Sequence, residues 1–272
     1  MRKYLTAMCM VTVAAVMPEL AGYEYALIAV IFIWSGFVRS GLGFGGALFI
    51  LPFLLLIHND PLVFLPIASI HLLFFAGLTV IQGEFRRSGV NANQSTVNWA
   101  FVRYALLIMI IPKLAGVIGL LVLPTDLMNI IIFVLIAGYS LTYILNKPMQ
   151  SNSRALDTIF LVVAAYISGT SLMGGPLVIA VALRHIKPHE FRNTLFALWC
   201  VLVTIKLIAF VIADIDIQLT AALWLLPFAG IGHFIGLHFH NGLLERDNRQ
   251  FYRILGWVLL GTSFVGLAQV LA

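Results

Sequence analysis

The sequence predicts an all-α polytopic membrane protein. It reads as two inverted-topology repeats, each a glycine-broken helical hairpin followed by three transmembrane helices. Three observations carry this expectation: the composition, the order of apolar stretches, and the placement of basic residues. Of 272 residues, 61% are hydrophobic and only 10% charged, and the mean hydropathy is +1.03. A soluble domain is nearer ~45–50% apolar and ~25% charged, so this chain has too few polar residues to cover a surface facing water. At roughly 20 residues per span, the length allows at most about ten spans. That leaves no room for a soluble nucleotide-binding domain. With no GxxxxGK loop ending in Ser or Thr either, a nucleotide-driven pump is excluded.

The elements follow in order. Met1-Arg2-Lys3 precedes an apolar run from Tyr4 to Met17. No small-x-small cleavage site precedes Pro18-Glu19, so residues 1–24 read as a retained signal-anchor helix. The first repeat occupies 25–145. Its opening block, 25–57, is long for one span and short for two, and Gly41, Gly43, Gly45 and Gly46 interrupt it. Glycine weakens a helix and lets backbones approach, so the block reads as two half-helices meeting at a break. Apolar stretches follow at 61–82, 99–121 and 127–145. A polar cytoplasmic linker covers 146–155, and the second repeat runs over 156–272. Its opening block, 156–183, breaks around Gly169, Gly174 and Gly175; stretches at 191–213, 218–239 and 251–271 follow.

Setting Gly45-Gly46 over Gly174-Gly175 aligns GFGGALFI with LMGGPLVI. The fourth apolar stretch of each repeat also carries a proline and then paired glycines: Pro112 with Gly116 and Gly119, Pro227 with Gly232 and Gly236.

The net charge of +5 is a topology signal rather than a nucleic-acid footprint. With the N-terminus cytoplasmic and each broken block re-entrant, every Lys and Arg except Arg39, Lys113 and Lys206 lies on the cytoplasmic side. The opposite loops carry Glu19, Glu24, Asp60, Asp126, Asp214 and Asp216, with no Lys or Arg. The loop at Asp60 is then outside and its counterpart at Lys187 inside, which makes the repeats antiparallel, a hallmark of secondary transporters. Reading each broken block as two full spans gives the same sidedness, and that alternative stays open.

Arg39, Lys113 and Lys206 fall inside apolar stretches, whereas all eleven acids lie in loops or at helix ends. A buried cation costs about 2.5–3.5 kcal/mol on insertion scales and usually needs a counter-charge. The simplest missing counter-charge is an anionic substrate. Arg39 is the strongest candidate, since a guanidinium suits a bidentate grip on an oxyanion; its alternative is to bond carbonyls freed by the break. Ser40 adds a hydroxyl. Gly43, Gly45 and Gly46 open the second half-helix, whose N–H groups favour an anion. Lys113 and Lys206 either draw anions along the path or snorkel to the interface.

In the second repeat Ser171, Gly174 and Gly175 make the matching break, and Ser168 stands where Arg39 stood. Close helix packing by small residues is the competing account. His71, mid-span, is the candidate for a proton-linked step; His233 is a weaker one, and either could be a hydrogen-bonded packing residue. Cys9 and Cys200 lie in apolar runs with no metal spacing and no case for a disulfide. No nucleophile–base pair, haem ligand pair or dinucleotide loop is present, so no enzyme activity, cofactor or metal is expected. The expected partners are a small anion and membrane lipids, with no nucleic acid, and a homo-oligomer is compatible with the sequence.

Gly36-Phe-Val-Arg-Ser-Gly-Leu-Gly-Phe-Gly-Gly46, closing at Pro52, resembles the glycine-rich signature of the TauE/SafE sulfite exporter family, also called the toluene sulfonate uptake permeases. Ser168-Gly-Thr-Ser-Leu-Met-Gly-Gly-Pro176 resembles its second signature. Val97-Asn98-Trp99 and Gly116-x-x-Gly119 also fit its pattern, so the resemblance covers nearly the whole chain. It implies a carrier of the bacterial inner membrane for sulfite or organosulfonates such as sulfoacetate, exporting them with the proton gradient, one repeat moving against the other. A passive oxyanion channel is the alternative. The sequence departs from the family pattern at Ala47, where a third glycine is common, and at Leu172-Met173, where glycines are frequent.

Overall fold

The computed structural model describes residues 22–42, 46–90, 96–147, 149–245 and 249–272. Most of the expected signal-anchor, and Gly43 and Gly45 of the first break, lie outside the described residues. Within them the chain is helical throughout, with no strand: α1 (Gly22–Leu42), α2 (Leu51–Ile57), α3 (Pro61–Val90), α4 (Trp99–Val122), α5 (Thr125–Ile144), α6 (Arg154–Ser171), α7 (Gly175–His185), α8 (Pro188–Ile212), α9 (Leu219–Glu245) and α10 (Arg249–Leu271). Seven of these, namely α1, α3, α4, α5, α8, α9 and α10, are long and apolar enough to cross a membrane. The chain is a polytopic helical membrane protein, as its composition requires.

Local chemistry sets the helix starts. Asn98 caps α4 by accepting from Phe101 N at 3.0 Å, and Ser153 caps α6 by accepting from Leu156 N at 3.2 Å. Pro52, Pro176 and Pro188 occupy first turns, where a missing N–H costs nothing. Pro66, Pro112 and Pro227 lie inside α3, α4 and α9, where neighbouring helices in a bundle compensate for the lost bond.

The two helices of each broken block are unequal in length. α1 runs for 21 residues, roughly 32 Å at 1.5 Å per residue, while α2 has 7. In the second block α6 has 18 residues and α7 has 11. Each block is thus a long helix followed by a short one. The first break also runs further along the chain than its glycines suggest. Residues 46–50 form turns, Leu51 N donates to Ala47 O at 3.0 Å, and α2 begins only at Leu51. Gly46 therefore sits in the break and does not open the second helix. α6 ends where Leu172 adopts a left-handed φ of 62°.

Four helix pairs dominate the packing: α1 with α9, α4 with α6, α3 with α8, and α5 with α10. Substituting α6–α10 for α1–α5, and the reverse, turns the first pair into the second and maps each of the others onto itself. The first two pairs cross backbone to backbone. A Cβ at Gly36 would strike Ala229 O, one at Gly232 would strike Ile33 O, and one at Gly236 would strike Phe37 O. In the other pair, a Cβ at Gly116 would strike Tyr166 O and one at Gly169 would strike Lys113 O. The small residues of the fourth apolar stretch are therefore sites of helix contact.

The two ends of the bundle are tied separately. At one, Asn98 N donates to Thr194 Oγ1 at 2.8 Å, joining α4 to α8. At the other, Asn129 Nδ2 donates to Asn59 O at 2.9 Å, joining α5 to the α2–α3 connection.

Candidate functional site

Arg39 lies in the last turn of α1 and is 3% exposed. Its guanidinium carbon stands 4.0 Å from the centroid of the Phe75 ring on α3, the face-on placement that a planar cation favours. Nε and Nη2 are buried and have no hydrogen-bond partner among the described residues. Asp157 pairs with Arg184 and His185, and among the described residues no carboxylate is paired with Arg39. Nor do its buried Nε and Nη2 bond a carbonyl among the described residues.

Arg39 forms part of the wall of a cavity of about 30 Å³, with Gly46 from the first break and Ser168, Leu172, Gly175 and Pro176 from the second. That volume holds little more than a water molecule, so the cavity is narrow in this conformation. The structure thus brings the two breaks to one place. α7 presents its N-terminus there, and its N-cap, Gly174, makes no side-chain hydrogen bond, which leaves first-turn N–H groups uncapped by any side chain.

The glycines divide by role. A Cβ at Gly174 would strike Ala164 O, so that glycine serves helix packing. A Cβ at Gly175 would meet nothing within 4 Å, and one at Gly46 would make only an ordinary 3.5 Å contact with Arg39 Cβ. Packing does not demand Gly46 or Gly175, and both line the cavity.

Lys113 and Lys206 are 0% exposed, which excludes snorkelling. Lys113 Nζ donates to Ser168 O at 2.8 Å and to Ser168 Oγ at 2.9 Å. Lys206 Nζ donates to Gly169 O at 2.8 Å and Thr170 O at 3.2 Å. Both lysines therefore cap the carbonyl end of α6, where cations are favoured. Carbonyl dipoles satisfy the lysine donors but supply no negative counter-charge.

The remaining candidates lie around this centre. The Ser40 hydroxyl is hydrogen-bonded to His233 Nδ1, and the His233 ring lies 5.0 Å from that of Phe75. Ser171 donates to Ile167 O at 3.0 Å; its hydroxyl is used within its own helix and does not line the cavity. His71 Nε2 donates to Ala222 O at 2.7 Å, while its buried Nδ1 has no partner among the described residues.

The sequence model of the family described as Sulfite exporter TauE/SafE matches residues 27–265. The chain belongs to the TauE/SafE sulfite exporter family. This is a family of membrane transporters and not of enzymes. No curated protein and no solved structure matches the chain. In this TauE/SafE member the two glycine-rich signatures are the two segments that meet at the cavity.

Sequence reasoning passed over three residues. Phe75 is one phenylalanine among 20, and nothing in the sequence sets it apart. Ser168 was visible only as the residue standing where the other repeat has arginine. Asp157 reads as a solvated helix-end acid but is 0% exposed. It accepts from Ser151 Oγ at 2.6 Å and Arg184 Nη1 at 3.0 Å and pairs with His185 Nε2 at 2.8 Å, which ties the start of α6 to the end of α7. Burial pushes its carboxyl up, but the bonds from Ser151 and His185 and the nearby charges outweigh this and hold it below the usual carboxylate range.

Proposed function

We propose that the protein is a secondary active carrier of small sulfur-containing anions, sulfite or an organosulfonate such as sulfoacetate. It exports them across the bacterial inner membrane with the proton gradient, its N-terminus cytoplasmic. One observation carries this reading. Arg39 is buried, unpaired, and set in the wall of a cavity between two helix breaks. A charge at membrane depth with no protein counter-ion is expensive, and an oxyanion supplies the counter-ion and the acceptor atoms together.

Arg39 grips the anion, and Ser40, held by His233, stiffens the turn that carries it. The backbone at Gly43, Gly45 and Gly46 admits the anion from one side, and that at Gly174 and Gly175 from the other. Ser171 closes the end of α6. Lys113 and Lys206 keep the potential at the site positive. His71, with one ring nitrogen free, carries the proton-linked step. The interchange of helix pairs between the two halves supports two related repeats, and the placement of basic residues supports their inversion. A cavity as narrow as about 30 Å³ favours a carrier over an open anion channel.

The test uses purified protein in proteoliposomes. Sulfite flux should saturate, show counterflow and respond to a pH gradient, and Arg39→Ala should abolish it in protein that still elutes as a folded species. Single-channel currents, or unchanged flux in Arg39→Ala, would overturn the reading.

A further inference from the structure

The Ser168 hydroxyl is placed unusually for a serine inside a transmembrane bundle. Its oxygen accepts a hydrogen bond from Lys113 Nζ at 2.9 Å. Thr170 and Ser171, in the same turn, donate back to Ile167 O at 2.9 and 3.0 Å. Ser168 makes no such bond, and its own proton has no acceptor among the described residues. The side chain is 4% exposed and lines the cavity with Arg39.

A hydroxyl has one proton to give and two lone pairs. With a cationic donor fixed on the oxygen, the proton is directed away from Lys113. The ammonium also polarises the O–H bond, which strengthens it as a donor. Lys113 is held in turn by Ser168 O at 2.8 Å, so the ammonium cannot swing into the cavity itself.

We infer that Ser168, oriented by Lys113, is a direct ligand for the transported oxyanion, donating its hydroxyl proton from the second break opposite the guanidinium of Arg39 in the first. This rests on the anion-carrier reading and adds a second ligand to the same site. Lys113 is a positioning residue. The proposal explains why the second half of the chain works without an arginine. A lysine on a neighbouring helix supplies the charge, and the serine relays it as a hydrogen bond. It also defines the ligand chemically. Both Arg39 and Ser168 donate, so the site favours an oxyanion offering acceptor atoms on two sides over one whose oxygen carries a proton towards either group.

The test reads KM and maximal rate separately, with sulfite as the probe and reconstituted protein that elutes as wild type does. Ser168→Ala should raise KM about tenfold, the loss of one charge-assisted hydrogen bond, with the maximal rate within about twofold. Ser168→Thr, which keeps the hydroxyl, should hold KM near wild type. Lys113→Met should raise KM in the wild-type background and add little in Ser168→Ala. An unchanged KM in Ser168→Ala overturns the proposal, as does a Lys113→Met effect of equal size in both backgrounds. Should Ser168→Ala fail to assemble, Ser168→Cys keeps the shape with a weaker donor and must raise KM likewise; an unchanged KM there overturns the proposal. The Ser168 variants decide it alone should Lys113→Met fail to assemble. Loss of flux in Arg39→Ala beside an unaltered Ser168→Ala or Ser168→Cys sinks this inference only; no effect at either position sinks the anion site as well.

Discussion

The guanidinium carbon of Arg39 lies over the ring of Phe75, 4.0 Å from its centroid. The ring holds the cation by its π face and uses none of its N–H groups, so buried donors at the guanidinium edge stay free. A carboxylate in the same place would hold the arginine more tightly and spend those donors. Desolvated cation–π contacts are worth about 2 kcal/mol. Phe75→Leu, which keeps apolar volume and loses the π face, should therefore raise the KM for sulfite by about tenfold or more. It should also lower the midpoint of thermal unfolding in detergent. Flux kinetics and a melting curve on the same preparation check both effects.

Adjacent glycines in the second break should respond in opposite ways. Gly174→Ala forces a Cβ onto Ala164 O, and overpacking of this kind costs about 1–3 kcal/mol. Gly175→Ala has open space but places a methyl group at the cavity wall. The first variant should melt earlier. The second should melt like wild type and lose transport, as sulfite flux beside a thermal scan will read.

His71→Gln retains a donor that can reach Ala222 O and removes the titratable ring. Exchange of sulfite across the membrane without a pH gradient should persist. Accumulation driven by a pH gradient should fall to the level of protein-free vesicles. Undiminished pH-driven accumulation would remove His71 from the coupling step.

Asp157 governs stability at the far end of the second hairpin. Its carboxyl is held below the ordinary value of 3.8, so the folded state favours the ionised form. The contribution is complete above that value and disappears as pH falls through the lower folded one. Arg184 and His185 are 37% and 35% exposed, so solvent screens both pairs. Asp157→Ala should cost about 1 kcal/mol, the upper end for a solvent-screened pair, because the cations it leaves behind reach solvent. The difference in melting temperature from wild type should be constant from neutral pH to about pH 5 and shrink only in stronger acid.

Leu172 takes a left-handed φ of 62°, which a side chain tolerates poorly and glycine accepts freely. It also lines the cavity. Leu172→Gly should keep the fold and widen the site. Competition assays should then show longer-chain sulfonates gaining on sulfite, compared with wild type.

Much of this was legible in the sequence, and the gaps have physical causes. Composition dictates helices, and glycine spacing locates both breaks. Charge placement singles out Arg39, Lys113 and Lys206 as cations without acidic partners. What the two lysines bond could not be read, because their acceptors at residues 168–170 are largely backbone carbonyls, and a carbonyl leaves no mark in a sequence. The end of α6 is hidden for a related reason: Gly169 reads as part of the break, but it sits where the backbone of α4 presses against it, and the helix runs on to Ser171. Ser168 differs from its neighbours Thr170 and Ser171 only in where its hydroxyl points, and that depends on Lys113, 55 positions away in the chain.

The bare crossings at Gly36, Gly232 and Gly236, and at Gly116 and Gly169, bear on how such a carrier can work. Each welds a helix from the first half of the chain to one from the second. Prising the halves apart as intact blocks would unzip both welds, so the linker near residue 150 is no mechanical seam. In a carrier, any moving body would be braided from both halves, α1 staying with α9 and α4 with α6. The α3–α8 contact differs: a Cβ added at Gly83 there would meet the Asn193 side chain and not a backbone.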